Sequence, residues 1–303
     1  MKIRDNELCL NDLKSASFNK GILMHCFKNA QEIEHIHLLD RAFHYGDGCF
    51  STARLHQNQF ELAELHDARL KLSVERLMLK VDLNLLEVTL NKLKSQFGVL
   101  NGTLKIMISR GEGQRGYALP DHPADLYVLY YPQQTYAFQI ETIASGVLSQ
   151  AIGLSMPSLV GIKTLNRLEQ VMLKQEALEK GWIEALVTDV QGGIVEGVSS
   201  NCFIRINNRW ITPELRYNGV HGVMRAEILA RMQTHGIVCE QRYIPMDEIS
   251  NIQSLFFCNA LSPMKAVEVF EQRPLDLQPC FDLFKLLQLN QMHDYVQSSI
   301  SNR

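Results

Sequence analysis

Long apolar runs, clustered cysteines and an excess of basic charge are all missing from this chain of 303 residues. The longest apolar run, Leu126 to Tyr131, has the length of a β-strand, whereas a membrane-spanning helix needs roughly 18 residues. Lys and Arg number 30 against 33 Asp and Glu, which argues against a nucleic-acid-binding protein. Residues 1–18 contain no apolar segment of a secretory signal. We therefore expect a cytoplasmic protein with neither a nucleic-acid nor a membrane partner.

The seven cysteines are scattered and form no Cys-x-x-Cys pair. A zinc cluster or a disulfide framework would have tighter and more regular spacing, so we expect reduced, mostly buried thiols and no metal site. Hydrophobic residues make up 46% of the chain and charged residues 21%, a mixture that is typical of a globular protein and excludes a disordered or collagen-like one.

Helical and strand-like patterns alternate along the chain, which predicts an α/β fold of two lobes with an active-site crevice between them. In the first half, the apolar residues repeat at the helical period over 61–80 and 86–97 and alternate as in a strand over 104–108, and residues 125–131 are predicted to form another strand. The second half is predicted to contain a helix over 165–180, strands over 185–189, 194–196, 201–206, 210–212 and 254–258, a helix after Gly222 and a helix over 281–289.

The segment Pro132 to Tyr136 combines a proline with polar residues between two apolar strands, so it is the best candidate for a linker. The predicted organisation is an N-terminal extension over 1–22, a small α/β domain over 23–132, a linker over 133–136 and a large domain over 137–303.

Two charged residues, Lys163 and Glu196, lie in apolar stretches of the sequence where a charged side chain is a candidate for a catalytic role. Lysines usually lie on the surface, but Lys163 is at a predicted strand-to-helix junction among apolar neighbours, where desolvation would lower its pKa and free the amine for a Schiff base. Glu196 lies between apolar residues and a run of small ones. If buried, it needs a cationic partner such as a protonated pyridine nitrogen; the alternative is a strand-end glutamate that faces water.

Anion binding is suggested at two further places. Arg69 lies three residues after His66 on the same predicted helix face. It is either a solvated surface charge or a clamp for phosphate oxygens. Residues 218–227 place glycines before an apparent helix, whose free N–H groups suit a phosphate, although such a loop is a weak signal alone. An amine, a carboxylate for a ring nitrogen and an anion site together form the set that pyridoxal phosphate requires.

Four motifs, at these separations, resemble those of the fold-type IV pyridoxal-phosphate enzymes, a class that includes branched-chain and D-amino-acid aminotransferases and aminodeoxychorismate lyases. The motifs are Tyr45-Gly-Asp-Gly, Ile162-Lys-Thr-Leu-Asn, Glu196-Gly-Val-Ser-Ser-Asn and Gly222-Val-Met-Arg225. The resemblance runs from about residue 24 to the C-terminal helix. It implies the fold-type IV architecture, with a small N-terminal and a larger C-terminal lobe, and pyridoxal 5'-phosphate as the cofactor.

Within this class the sequence is most similar to the aminodeoxychorismate lyases, through Asn166-Arg-Leu-Glu-Gln after the lysine and Cys258-Asn-Ala-Leu. It departs from their pattern at Ser51, where they tend to have a second threonine, and at His221, where an aliphatic residue or Asn is more usual. The similarity implies a homodimer that converts 4-amino-4-deoxychorismate into 4-aminobenzoate and pyruvate for folate biosynthesis. An aminotransferase for D-amino or branched-chain amino acids is the alternative.

The resemblance also implies a role for each residue. Lys163 would hold the cofactor and act as base and acid, Glu196 would pair with the pyridine nitrogen, and Thr52 would help the leaving group. The loop Arg110–Tyr117 would close over the cofactor of the neighbouring subunit. The other expected contacts are Arg69, Ser199, Ser200, Asn259 and the backbone of Val223 and Met224 around the cofactor, and Arg115, Tyr117 and Tyr45 around the substrate.

Overall fold

The computed structural model of the protein describes residues 24–292, which form two large β-sheets, one small sheet and the helices packed on them. The predicted N-terminal extension over 1–22 lies outside the described residues. The strands are β1 (His25–Lys28), β2 (Gln31–Glu32), β3 (Gly48–His56), β4 (Gln59–Phe60), β5 (Gly102–Ser109), β6 (Asp125–Pro132), β7 (Glu141–Ser145), β8 (Leu186–Thr188), β9 (Ile194–Gly197), β10 (Asn201–Ile206), β11 (Arg209–Pro213), β12 (Cys239–Arg242), β13 (Ser254–Asn259), β14 (Ser262–Phe270) and β15 (Arg273–Pro274). The helices are α1 (Arg41–Tyr45), α2 (Ala63–Arg76), α3 (Asn84–Phe97), α4 (Leu168–Glu179), α5 (Val223–Thr234) and α6 (Gln278–Leu286).

The first sheet is antiparallel throughout, in the order β2-β1-β6-β5-β3-β4. Side chains alternate between the faces of a strand, so Leu104, Ile106 and Ile108 of β5 all lie on one face, against α2 and α3. Leu70 of α2 and Leu93 of α3 are buried on that face. The opposite face carries the other half of each strand and turns toward the candidate site.

The second sheet has the order β12-β11-β10-β13-β14-β15, with β7 beside β14. The pairs β11–β12 and β7–β14 are parallel and the others antiparallel. Phe203 and Phe256 stack with their ring centroids 4.9 Å apart, in a buried cluster that also contains Ile228 of α5 and Leu283 of α6. The strands β8 and β9 form the small sheet. The mixed α/β class predicted from the sequence is confirmed.

Two predicted helices are shorter than the apolar pattern indicated. The helix expected over 165–180 begins only at Leu168, because the preceding residues pair with β3: Thr164 forms an antiparallel bridge with Cys49. The helix expected over 61–80 ends at Arg76, and Met78 then takes a left-handed conformation with φ of 52°. The start of the one helix and the end of the other are set by a tertiary contact and a backbone turn, which cannot be predicted from the spacing of apolar residues.

The predicted linker over 133–136 lies in a stretch without helix or strand between β6 and β7. Arg54 of β3 holds this stretch: its guanidinium donates to the carbonyl of Tyr136 and lies 4.0 Å from the centre of the Phe138 ring. The division into a small and a large domain stays a prediction. No helix between residues 24 and 292 has the length and apolar character needed to cross a membrane.

Candidate active site

The candidate lysine is held between the two large sheets. The amide of Phe50 donates to the Lys163 carbonyl at 2.9 Å, and the amide of Leu165 donates to the Gly48 carbonyl at 3.0 Å. Two residues before the lysine, the amide of Gly161 donates to the Gly219 carbonyl at 3.2 Å, in the loop between β11 and α5. Lys163 is thus fixed by backbone bonds to one segment from each half of the chain.

A turn at residues 46–48 positions β3 for this pairing. Gly46 closes α1 in the left-handed region with φ of 63°, and an added Cβ there would overlap the side chain of Asn166. Asp47 accepts hydrogen bonds from Arg41 at 2.7 Å and from Arg110 at 2.9 Å. Burial alone would raise the pKa of the Asp47 carboxyl, but these two guanidinium groups outweigh that effect and hold the pKa below its usual value. The turn directs Phe50 and Thr52 toward the lysine.

A cavity of about 240 Å³ lies around Lys163. The lysine Nζ lies 4.8 Å from the centre of the Phe50 ring. Burial lowers the pKa of Lys163, and the charges of Arg167 and Arg69 lower it further against the attraction of Glu196. The lowered pKa increases the fraction of Lys163 that is present as the free amine predicted from the sequence. The cavity is lined by Phe50, Thr52, Arg69, Lys163, Arg167, Gln170, Glu196, Val198, Ser199, Ser200, Asn201, Val220, Gly222, Val223, Cys258, Asn259, Ala260 and Leu261.

Glu196 is buried on β9, in contrast to the water-facing alternative. Its Oε2 accepts a hydrogen bond from the Val220 amide at 2.9 Å and one from Asn201 Nδ2 at 3.3 Å. Burial raises the pKa of Glu196, while the Val220 hydrogen bond and the charges of Lys163 and Arg167 oppose that rise. An added Cβ at Gly222 would overlap Asn201 Oδ1, so the glycine allows the close approach that keeps Asn201 beside the carboxylate.

The cavity offers an anion site at Arg69 and the start of α5. One Arg69 nitrogen, Nη2, donates to Ser51 Oγ at 2.5 Å, while its Nε is buried and has no hydrogen-bond partner among the described residues. Helix α5 begins at Val223 with no side-chain cap on its first amides. A helix start and a guanidinium on one cavity wall suit an anion with several acceptor oxygens.

Ser51 connects Arg69 to a buried histidine. Its hydroxyl lies 2.6 Å from Nδ1 of His66, and burial and the neighbouring Arg69 charge lower the pKa of His66 to about 3. Since Arg69 donates to Ser51 Oγ, the hydroxyl is left to donate to a neutral His66. The departure from the lyase pattern at Ser51 therefore lies directly beneath the anion site.

Ser199, Ser200 and Asn259 lie together at another wall of the cavity. Asn259 Nδ2 donates to Ser200 Oγ at 3.1 Å. Glu184, which is 1% exposed, accepts hydrogen bonds from the Ser199 hydroxyl and, at 3.1 Å, from Ser200 Oγ. Met224 differs from these residues, since its side chain packs in the core behind α5, so that only its backbone faces the helix start.

The three predicted substrate residues are brought together, but away from this cavity. Tyr117 is 85% exposed, and its ring centroid lies 5.5 Å from that of Tyr45. The Gly116 amide donates to the Tyr45 hydroxyl at 3.1 Å, and Arg115 is exposed on the same loop. Among the described residues that line the cavity around Lys163, these three are absent.

Sequence reasoning missed several residues of the site. Arg167 was quoted within a motif without a role, yet its Cζ lies 5.9 Å from the Phe50 ring centre and its Nε donates to the Thr164 carbonyl at 2.9 Å. Its position four residues after the candidate lysine was the available signal. Asn201 also lay in a quoted motif, whereas nothing in the local sequence pointed to Glu184.

The side chains fit pyridoxal phosphate as a set. Lys163 offers an amine, Glu196 a buried carboxylate for a ring nitrogen, and Arg69 an unpaired buried N–H for a phosphate oxygen. Asp, Glu, His and Cys side chains form no group of three that could hold a metal ion within residues 24–292.

A model of the amino-transferase class IV family matches residues 48–269. Aminodeoxychorismate lyase of Vibrio harveyi is 29% identical over 248 residues, which cover 79% of this chain and 90% of that protein. D-alanine aminotransferase of Bacillus licheniformis is 27% identical over 249 residues, which cover 78% of this chain and 81% of that protein.

The crystal structure of 4-amino-4-deoxychorismate lyase from Pseudomonas aeruginosa superposes on this chain with a TM-score of 0.75 and 29% sequence identity. The superposition covers 86% of this chain and 98% of that one. The expected fold-type IV architecture is confirmed, and the similarity extends over both large sheets.

Proposed function

The chain belongs to the amino-transferase class IV family, an enzyme family that uses pyridoxal phosphate, and from this premise we propose that it is an aminodeoxychorismate lyase. The reaction converts 4-amino-4-deoxychorismate into 4-aminobenzoate, a folate precursor, and pyruvate. The observation that carries the proposal is the convergence of Lys163, Glu196 and Arg69 on one cavity, in a chain whose similarity to lyases spans most of both proteins.

Each end of the cofactor has a matching part of the cavity. Lys163 would hold its aldehyde carbon and Glu196 its ring nitrogen. Arg69 would bind the phosphate together with the backbone of Val223 and Met224, and Ser199, Ser200 and Asn259 would complete the wall. When bound, pyridoxal phosphate would supply an aldehyde for the substrate amine and a ring that can take up the electron pair released at the amine-bearing carbon. The Glu196 carboxylate, buried and held by the Val220 amide, would stabilise a positive charge on the ring nitrogen.

Lys163 moves the proton. Because burial and two guanidinium groups favour its neutral form, it can take the proton from the amine-bearing carbon of the substrate. The enolpyruvyl group then leaves from the adjacent carbon, and the ring that remains is aromatic. Thr52 lines the cavity on the same strand as Phe50 and would donate a hydrogen bond to the departing oxygen. The proton removed by Lys163 balances the one that the leaving group gains as pyruvate.

The enzyme is proposed to work as a homodimer. Tyr45, Arg115 and Tyr117 lie away from the cavity of their own chain, so they can serve a substrate only by moving or by reaching the cavity of a second copy. Apolar side chains on α4, Leu168, Val171 and Met172, are exposed and would suit a subunit interface. The cytoplasmic location expected from the sequence stays a prediction.

The similarity to D-alanine aminotransferase is the observation that supports the aminotransferase alternative. Two assays on the purified holoenzyme distinguish that alternative from the lyase proposal. With 4-amino-4-deoxychorismate we expect 4-aminobenzoate and pyruvate in equal amounts. With D-alanine or leucine plus 2-oxoglutarate we expect glutamate only at a far lower rate. Rapid glutamate formation without 4-aminobenzoate would make the chain an aminotransferase. Lys163→Ala is the control that should lose both activities.

A further inference from the structure

Ser51 lies on the side of β3 that faces away from the cavity. Side chains alternate along a strand, so Phe50 and Thr52 line the cavity while Ser51 points to the other face. There it is fully buried opposite Ile106, on the face that packs against α2. Arg69 comes from α2, lines the cavity and donates from Nη2 to Ser51 Oγ at 2.5 Å. The serine therefore holds the guanidinium from behind the cavity wall.

The hydrogen bonds at Ser51 also fix the state of His66. A hydroxyl has one hydrogen to donate, and a guanidinium can only donate. Because Ser51 Oγ accepts from Arg69, its own hydrogen is directed to His66 Nδ1, 2.6 Å away. Burial and the Arg69 charge lower the pKa of His66 to about 3, so the ring is neutral at pH 7 and carries its hydrogen on Nε2. Nε2 is buried without a hydrogen-bond partner among residues 24–292, a cost that a role for Nδ1 would explain.

Arg69 keeps its positive charge for a ligand. Within residues 24–292 no carboxylate forms an ion pair with it, and its Nε is buried without a hydrogen-bond partner. Arg41, in contrast, binds the Asp47 carboxylate at 2.7 Å. A buried cation is costly unless an anion neutralises it. The neutral hydroxyl of Ser51 therefore restrains the side chain of Arg69 and leaves its charge to an anion.

We propose that Ser51 and His66 are positioning residues that fix the Arg69 guanidinium so that its Nε–H remains available to a phosphate oxygen of the cofactor. This inference rests on the phosphate-binding role proposed for Arg69 and deepens it. An arginine side chain has several rotatable bonds, and ordering it only when the ligand binds would weaken the affinity. Here the ordering takes place during folding, so the phosphate meets a fixed donor. The alternative is a hydrogen bond that only packs α2 against β3.

Binding of two forms of the cofactor to the apoenzyme tests the assignment without turnover. Pyridoxal lacks the phosphate of pyridoxal 5'-phosphate, so the ratio of their affinities measures the phosphate contact. Ser51→Ala should lower this ratio about 10-fold, because the guanidinium loses its restraint. His66→Phe keeps a ring but offers the hydroxyl no acceptor, so it should lower the ratio as well. Ser51→Thr keeps the hydroxyl and should keep a ratio near the wild-type value.

Nuclear magnetic resonance of the ring nitrogens tests the hydrogen-bond directions in the wild-type holoenzyme. The His66 ring should stay neutral between about pH 6 and 8, with its hydrogen on Nε2. A hydrogen on Nδ1, or a positively charged ring in this range, overturns the proposal, because Ser51 could then not donate to His66.

The matched control is Ser73→Ala. Ser73 is also buried on α2, but its hydroxyl donates to the Arg69 carbonyl, at 2.7 Å, and not to the guanidinium. Its loss should lower the thermal stability without changing the ratio of affinities. An unchanged ratio in Ser51→Ala or His66→Phe overturns the proposal, as does an equal loss in Ser73→Ala.

Arg69→Ala separates the positioning role from the phosphate role itself. If this variant lowers the ratio and Ser51→Ala does not, only the positioning role is wrong. If Arg69→Ala also leaves the ratio unchanged, the phosphate role proposed for Arg69 fails together with the inference. The lyase function fails separately, if the wild-type enzyme forms no 4-aminobenzoate.

Discussion

Lys163 owes its lowered pKa to its neighbours as well as to its burial. Burial is the largest cause of its lowered pKa, and the positive charges of Arg167 and Arg69 add to the effect. Glu196 acts in the opposite direction across the same cavity. The amine therefore loses its proton more easily than an ordinary lysine, and it lines the same cavity as the carboxylate proposed to pair with the cofactor ring. Arg167 is the neighbour whose removal tests this arrangement, since Arg69 is also proposed to bind the phosphate.

Replacement of Arg167 by Gln should raise the pKa of Lys163, because loss of a nearby positive charge makes protonation of the amine easier. Cofactor capture needs the neutral amine, so the rate at which the apoenzyme takes up pyridoxal phosphate should reach its plateau at higher pH. At pH 7 the rate should be roughly two- to tenfold lower. Stopped-flow absorbance measured across pH gives this profile.

Arg167→Lys keeps the charge and is the control for this comparison, so its profile should stay near that of the wild-type chain. If Arg167→Gln slows uptake by the same factor at every pH, Arg167 acts in binding and not through the charge of Lys163. A shift of the profile to lower pH would contradict the electrostatic account.

At the scale of elements, strands with regular alternation were predictable and irregular ones were not. The alternation over 104–108 identified β5, and the apolar run at 125–131 identified β6. Strand β14 (Ser262–Phe270) was missed, since a proline and two charged residues interrupt its pattern. Its partner β7 was expected only as an apolar strand after the linker, without bounds, and its pairing was not predictable because it pairs in parallel with a segment more than a hundred residues away.

The residue types of the candidate site could be predicted from the sequence, but their arrangement in space could not. Residue types around Lys163 and Glu196 indicated an amine in apolar surroundings and a carboxylate that needs a partner. Glu184 accepts hydrogen bonds from the Ser199 and Ser200 hydroxyls, but it belongs to none of the sequence motifs. Its place beside these serines is therefore visible only in the folded structure.

At the scale of the whole molecule, the loop Arg110–Tyr117 raises the question of where the active site is completed. Arg41 of α1 donates to the Gly116 carbonyl at 2.9 Å, and this bond holds the loop against α1. Arg115 and Tyr117 are not among the described residues that line the cavity of the same chain. In a two-fold dimer, the loop of each subunit would complete one active site.

Mixed dimers test this arrangement. Lys163→Ala and Arg115→Ala chains should each have little activity alone, and subunit exchange between them should restore part of it. If the loop serves the other subunit, one site in each mixed dimer contains both Lys163 and Arg115 and is intact. With exchange demonstrated by differently tagged chains, a mixture that stays inactive shows that Arg115 acts within its own subunit.

The attachment point of the cofactor gives the most direct test of the account. The holoenzyme should absorb visible light, and borohydride treatment should remove that absorbance and leave a stable cofactor adduct. Peptide mapping by mass spectrometry should find the adduct on the peptide that contains Lys163, and the Lys163→Ala chain should yield none. An adduct on a different lysine, or one that persists in Lys163→Ala, would contradict the assignment of this cavity as the active site.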